Sequence, residues 1–321
     1  MAELSVPSTP LVLASVQLQR NSAAKVVQSE QPAREAVLEG CRRRNAVLDA
    51  IFYDVKVINP VETQTLAPWL AHEGALLLVP PSGAGALSIW PTVDTFAANG
   101  GAGARILAVA GVGSSALGTA AFARNVADAF GEPVAGLVSG YGMADLLAEA
   151  AGGWFWFGAL NRVRHMAEGF EGLLQGSGLH VNAGYAGPPN LARESRDTRT
   201  LCALLNDRRF GFRLLTGHSK GNLVIAEALY ALRDAHADAQ LEDIAIVTMS
   251  AAIAMPPRYR NIIDVMGEVD WFGAMNSNFG IDVEYRARNA GHHTNTELRW
   301  HLPVREVMSD LRRQRGSGLL H

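Results

Sequence analysis

The sequence predicts an α/β protein with a mostly parallel sheet and helices on both faces. Short, continuous apolar runs recur from residue 104 onward and alternate with helical patterns, as expected for strands that are buried on both sides. The 321 residues include 32 glycines, which suit tight turns between strands and helices, and 48% are apolar, enough for a large core. These features favour a compact α/β protein over a fibrous or disordered chain.

The N-terminal third carries the weakest pattern. We predict a helix over residues 33–52 with a rough apolar face, and a strand over 75–79 that ends at Pro80 and Pro81. We therefore divide the chain into an N-terminal extension with the first strands, residues 1–100, and a core, residues 101–321.

The core has a regular order of elements. Apolar runs predict strands at residues 105–110, 133–138, 212–216, 244–249, 262–266 and 283–287. Helices are predicted over 115–130 and 220–233. The interval of more than 70 residues between the second and third of these strands predicts an insertion at about 140–205. We expect the basic, glycine-rich end at 312–321 to fray.

Charge and cysteine content limit the classes of partner. The net charge of −3 gives no indication of nucleic-acid binding. Cys41 and Cys202 match neither a disulfide framework nor a metal site. No run reaches the roughly 20 apolar residues that span a bilayer, and the N-terminus lacks a basic region typical of a signal peptide. We expect a cytoplasmic protein without a transmembrane segment, metal or cofactor, and the sequence leaves its oligomeric state open.

The pentapeptide GHSKG at 217–221 lies between an apolar run and a helix. Two glycines let the backbone turn sharply there, so that the hydroxyl group of Ser219 projects from the carboxyl edge of the sheet. The helix that follows offers N–H groups and a positive dipole end to a developing negative charge. Alternatively, the glycines only allow close packing and Ser219 caps the helix.

An acidic residue and a histidine follow the serine, each beyond the end of a predicted strand. Asp270 follows the predicted strand 262–266, and His292 follows the last predicted strand. Loops at the carboxyl ends of parallel strands meet at one edge of the sheet, so these side chains are expected to lie near Ser219. The alternatives are His293 as the base and, as the acid, Asp264, Glu268 or Asp282. His218 is expected to be structural.

From about residue 104 to 300 the chain resembles the α/β-hydrolase superfamily, in its lipase- and esterase-like branch. The resemblance implies that Ser219 is the nucleophile, and that the amides of Val112 and Lys220 hold the oxyanion. The segment 110–115 is similar to the oxyanion loop of that superfamily, with Ala110 where histidine is usual. The same glycines also fit a dinucleotide fingerprint, but the next predicted strand ends without the acidic residue that such a site requires.

Four aromatic residues in the predicted insertion could contact a substrate. They are Trp154, Phe155, Trp156 and Phe157. A run of four cannot face one side only, so it indicates either an acyl pocket or lid, or ordinary packing of the insertion.

Together these features predict a serine hydrolase that cleaves a small-molecule or lipid ester through a Ser219–Asp270–His292 triad. The sequence is also compatible with contact between the protein and a lipid surface. A thioesterase, a polyester depolymerase or an acyltransferase would use the same residues. The alternative from another class is a non-catalytic module that binds lipid or protein through its aromatic insertion.

Overall fold

The computed structural model describes residues 46–70, 72–111, 114–139, 195–237, 241, 243–278 and 280–315. Within them lies an eight-stranded sheet with the strand order β2-β1-β4-β3-β5-β6-β7-β8. The strands are β1 Leu76–Val79, β2 Ser88–Trp90, β3 Ile106–Val109, β4 Val134–Leu137, β5 Leu214–His218, β6 Ala245–Met249, β7 Ile262–Gly267 and β8 Tyr285–Ala287. Strands β3 to β8 pair in parallel, whereas β1 pairs antiparallel with β2 and β4. The prediction of an α/β protein with a mostly parallel sheet is confirmed.

Helices cover the sheet. They are α1 (46–52), α2 Pro60–Leu66, α3 Val93–Ala98, α4 Ala116–Phe130, α5 Arg196–Asn206, α6 Lys220–Asp234, α7 Trp271–Met275 and α8 Val304–Arg315. Short 3₁₀ turns are Val55–Val57, Ala67–Trp69 and Gly101–Gly103. Helix α5, which falls inside the predicted insertion, contributes Leu201 and Leu204 to the core.

The core consists of two apolar clusters, one on each face of the sheet. Along β3, Ile106 and Ala108 belong to one cluster, and Leu107 and Val109 belong to the other. This alternation follows from the two-residue period of a strand. Because both faces are covered, all four side chains are apolar and fully buried, which explains why the sequence reads as a continuous apolar run.

Helix α4 packs almost entirely inside the protein. Ser115 caps its first turn by accepting a hydrogen bond from the Leu117 amide, and Gly131 ends the helix with a φ of 72°. Arg312 of α8 donates hydrogen bonds to the carbonyl groups of Ala129 and Phe130 at distances of 3.1 and 2.8 Å. The prediction that the chain frays from residue 312 is therefore wrong for 312–315, because this arginine caps a helix end. Residues 316–321 lie outside the described residues.

The order of the strands brings separate loops to one edge. β5 lies between β3 and β6, and β7 separates β6 from β8. Since β3 to β8 run in parallel, the loops after β3, β5, β7 and β8 all leave from the same edge of the sheet. That edge carries the predicted site.

Candidate active site

Ser219 occupies a strained turn between β5 and α6. Its backbone has a φ of 53° and a ψ of −119°, a conformation that non-glycine residues adopt rarely and mainly at functional sites. A Cβ atom at Gly221 would lie 2.1 Å from the carbonyl oxygen of Val109, and one at Gly217 would lie 2.3 Å from Asn222 Oδ1. The two glycines are therefore required because backbone and side-chain atoms pass so close to them.

The hydroxyl group of Ser219 faces an imidazole. His292 Nε2 lies 3.0 Å from Ser219 Oγ, within hydrogen-bond distance. Among the described residues, the Ser219 side chain makes no capping hydrogen bond to α6. Ser219 thus occupies the N-cap position of α6, but the alternative that its side chain caps the helix is wrong.

The other nitrogen of His292 faces a carboxylate. His292 Nδ1 lies 3.0 and 3.2 Å from the two oxygens of Asp270. The side chain of His292 is 12% exposed and that of Asp270 is fully buried. With the Nδ1 proton donated to Asp270, the Nε2 lone pair points to the serine hydroxyl. The three side chains form one continuous hydrogen-bonded row.

Asp270 also holds the start of α7. Its carboxylate accepts a hydrogen bond of 2.6 Å from the Gly273 amide. Burial alone would raise the pKa of Asp270, but the hydrogen bond to His292, the charge of that imidazole and the Gly273 amide together lower the pKa below its ordinary value. The carboxylate is thus held ionised beside the imidazole.

The competing acids and the second histidine lie elsewhere. Asp264 Oδ1 accepts a hydrogen bond from Thr248, and Glu268 accepts one from the Asn289 amide. Asp282 is exposed ahead of β8. The neighbouring His293 donates a hydrogen bond from Nε2 to a carbonyl oxygen of its own loop, at residue 299.

The loop after β3 lies against the turn of Ser219. A Cβ atom at Gly111 would lie 2.9 Å from the carbonyl oxygen of His218 and 3.0 Å from Ser219 Cβ. Lys220 is the first residue of α6, which begins directly after the serine. The other predicted oxyanion donor, Val112, lies outside the described residues, as do Trp154–Phe157.

His218 connects Tyr53 to the loop of His292. Its Nδ1 atom lies 3.0 Å from the Tyr53 hydroxyl group, and its Nε2 atom lies 2.8 Å from the carbonyl oxygen of His292. The Gly111 amide donates a 2.5 Å hydrogen bond to the same hydroxyl. His218 is structural, as the sequence predicts, but the participation of Tyr53 was not foreseen.

The residues next to Tyr53 hold the histidine loop by backbone contacts. We call residues 49–54 the N-terminal segment. The Thr294 amide donates a 2.7 Å hydrogen bond to the carbonyl oxygen of Phe52. Asn295 Nδ2 donates a hydrogen bond of equal length, 2.7 Å, to the carbonyl oxygen of Ala50. The loop that carries the imidazole is thus attached to a segment that lies more than 240 residues earlier in the sequence.

Asp49 of the same segment holds the other end of the loop that begins at Gly111. Its carboxylate accepts hydrogen bonds from the amide and the hydroxyl group of Ser115, just before α4. Burial raises the pKa of Asp49 to about 7, although the hydrogen bonds from Ser115 oppose that rise. The sequence indicates only that both side chains have buried partners, because Asp49 lies in α1 and Tyr53 directly follows that helix, one turn later.

Aromatic rings surround the imidazole. The Phe272 ring lies 4.7 Å from the His292 ring and meets it edge-on, and the Phe52 ring lies 6.2 Å away. Nearby in the chain, Trp271 at the start of α7 and Trp300 in the loop after His292 are 70% and 65% exposed. The imidazole is thus in contact with aromatic rings beside its polar partners.

Comparisons with protein-family models, with curated proteins and with solved structures gave no match. In the described part of the chain, no helix is long and apolar enough to cross a bilayer. The same residues contain no group of three or more acidic, histidine or cysteine side chains arranged to hold a metal ion.

Proposed function

We propose that the protein is a serine hydrolase of the α/β-hydrolase type that cleaves carboxylic esters through an acyl-enzyme. The observation that carries the proposal is the row of hydrogen bonds from Ser219 through His292 to Asp270. The strained turn at the serine is a second support, since such strain is kept where function requires it.

The first half of the reaction forms the acyl-enzyme. Ser219 Oγ attacks the ester carbonyl carbon while its proton moves to His292 Nε2. The resulting imidazolium is stabilised by the ionised Asp270, and it then gives the proton to the departing alkoxide as the C–O bond breaks. The amides of Val112 and Lys220 are the proposed donors to the oxyanion.

The second half releases the acid. A water molecule gives a proton to His292 Nε2 and attacks the acyl carbon, and the proton then returns to Ser219 Oγ as the acyl–enzyme bond breaks. The aromatic surroundings of His292 are suited to an ester with an apolar group near the scissile bond. If an alcohol replaces water in this step, the same residues carry out acyl transfer.

A fluorophosphonate probe tests the proposal directly. We expect the probe to label Ser219 in the wild-type protein, as located by mass mapping, and not in Ser219→Ala. Hydrolysis of a short p-nitrophenyl ester should fall by at least about 10³-fold in Ser219→Ala.

The acid is tested by a matched pair of variants. Asp270→Asn should lower kcat by about 10⁴-fold, because the amide favours the wrong imidazole tautomer. Glu268→Gln changes a nearby carboxylate that bonds to the Asn289 amide, and it should leave kcat unchanged. A folded wild-type protein with neither labelling nor hydrolysis would contradict the proposed function and favour the non-catalytic module.

A further inference from the structure

The hydroxyl group of Tyr53 has a defined role as both donor and acceptor. Tyr53 is 1% exposed, and its oxygen accepts a hydrogen bond of 2.5 Å from the Gly111 amide. Burial raises the pKa of this phenol, so the group keeps its proton. Since an amide can only donate, the phenolic proton is left for the other neighbour, His218 Nδ1, at 3.0 Å.

This donation determines the tautomer of His218. Because Nδ1 accepts the phenolic proton, the ring carries its own proton on Nε2. That Nε2–H group then donates to the carbonyl oxygen of His292 at 2.8 Å. The directions of all three hydrogen bonds, from Gly111 through Tyr53 and His218 to His292, follow from these assignments.

His218 remains uncharged while the neighbouring imidazole of His292 changes its charge. Burial, together with the charge of His292, lowers the pKa of His218 to about 3. The centres of the two imidazole rings are 5.2 Å apart. A neutral His218 therefore adds no repulsion when His292 becomes an imidazolium in the proposed reaction.

We propose that Tyr53 is a positioning residue of this active site, which uses His218 to fix the histidine loop relative to the loop after β3. The inference rests on the proposed function. The Gly111 amide precedes the proposed oxyanion donor, and the His292 carbonyl belongs to the base itself. The Tyr53 hydroxyl group thus sets the distance between the loop after β3 and the loop that carries His292.

Tyr53→Phe isolates the hydroxyl group from the ring. The phenyl ring retains the contacts of Tyr53 with Phe122 and His218, whose ring centres lie 6.4 and 5.5 Å away. The change leaves the Gly111 amide and His218 Nδ1 without this partner. The control is Tyr285→Phe, which removes a hydroxyl that donates to Asp310 on α8, away from the site.

The kinetic test measures kcat and KM on a p-nitrophenyl ester. We expect Tyr53→Phe to lower kcat by about 10- to 100-fold, as small misplacements of reacting groups do, with KM changed less than about twofold since ground-state contacts remain. Tyr285→Phe should behave as wild type. His218→Gln, which can keep a donor for the His292 carbonyl, should retain more activity than His218→Leu.

A second readout is independent of turnover. In the full chain, the His292 Nδ1–H proton bonded to Asp270 should give a downfield proton NMR signal that Asp270→Asn abolishes. The signal should shift or broaden in Tyr53→Phe and stay in place in Tyr285→Phe. An unchanged signal, or an unchanged kcat where the wild type is active, would overturn the positioning role. A wild type with this signal but no esterase activity would instead contradict the proposed function.

Discussion

The turn of GHSKG at 217–221 and the N-terminal segment at 49–54 both border His292, but they are held in opposite ways. The turn is held by close backbone approach, with a strained serine between two glycines that leave no room for a side chain. The segment is held by side-chain and backbone hydrogen bonds to residues more than 55 positions away, such as Gly111. A local steric limit requires particular residue types, such as glycine, and these can be recognised in a sequence. Hydrogen bonds between distant residues leave only scattered polar residues in the sequence, with no recognisable pattern.

The largest effect is expected in the turn. In Gly221→Ala the new Cβ would lie 2.1 Å from the Val109 carbonyl oxygen, which belongs to a buried strand and has no room to move. The free energy of unfolding should fall by more than about 3 kcal/mol, the upper end for overpacked sites. Urea denaturation measures this loss.

The control for that variant is Gly211→Ala, where a Cβ would meet no atom within 4 Å. Its free energy of unfolding should stay within about 0.5 kcal/mol of wild type. Equal losses in the two variants would show that the close approach at Gly221 does not determine the turn.

A smaller effect is expected where the N-terminal segment meets the histidine loop. Asn295→Ala removes the 2.7 Å hydrogen bond to the buried Ala50 carbonyl group. We expect a loss of about 1–3 kcal/mol in unfolding free energy and about a tenfold loss in kcat, because the imidazole loop loosens.

The matched change is Asn99→Ala, since Asn99 makes a 2.7 Å hydrogen bond to a carbonyl group on the protein surface. That variant should keep the wild-type kcat. If Asn295→Ala also keeps it, the segment stabilises the fold without supporting the site.

These two regions show how much the sequence could predict. The parallel strands, the Ser219 turn and the pairing of Asp270 with His292 follow from apolar runs, glycine spacing and the rule that strand ends meet at one edge. Strand β2 was missed because its three residues are only half-buried. Helix α8 was missed because half of its residues are charged and it buries only a narrow stripe that includes Met308 and Leu311.

The N-terminal segment could not be assigned a role from its own residues. Asp49 is buried on α1 beside Ala46 and Ala50, and the buried Tyr53 directly follows that helix. A polar pair among apolar residues shows only that partners exist. Their partners lie 66 and 165 residues away, at Ser115 and His218. No local pattern encodes such a separation.

The last expected effect is a change in pH dependence. Burial raises the pKa of Asp49 to about 7, so the native state binds this proton more tightly than the unfolded chain does. The stability from Asp49 is therefore fully present below about pH 4 and is lost as the pH rises through 7. Asp49→Asn removes this dependence.

Urea denaturation of both proteins at pH 5 and pH 8 measures the difference. The variant should gain in unfolding free energy relative to wild type as the pH rises. A difference that is constant would mean that the hydrogen bonds from Ser115 outweigh burial and that the carboxylate is ionised throughout.

The attachment of the histidine loop to the N-terminal segment also determines when the site can form during synthesis on the ribosome. Phe52 and Thr294 are 242 residues apart, so at roughly 5–20 residues per second a ribosome makes the second about 12–48 s after the first. From residue 221 until Thr294 is made, the nascent chain contains the serine turn but not the whole pocket around it. Under the proposed function, the growing polypeptide has no hydrolase activity until translation has passed Thr294.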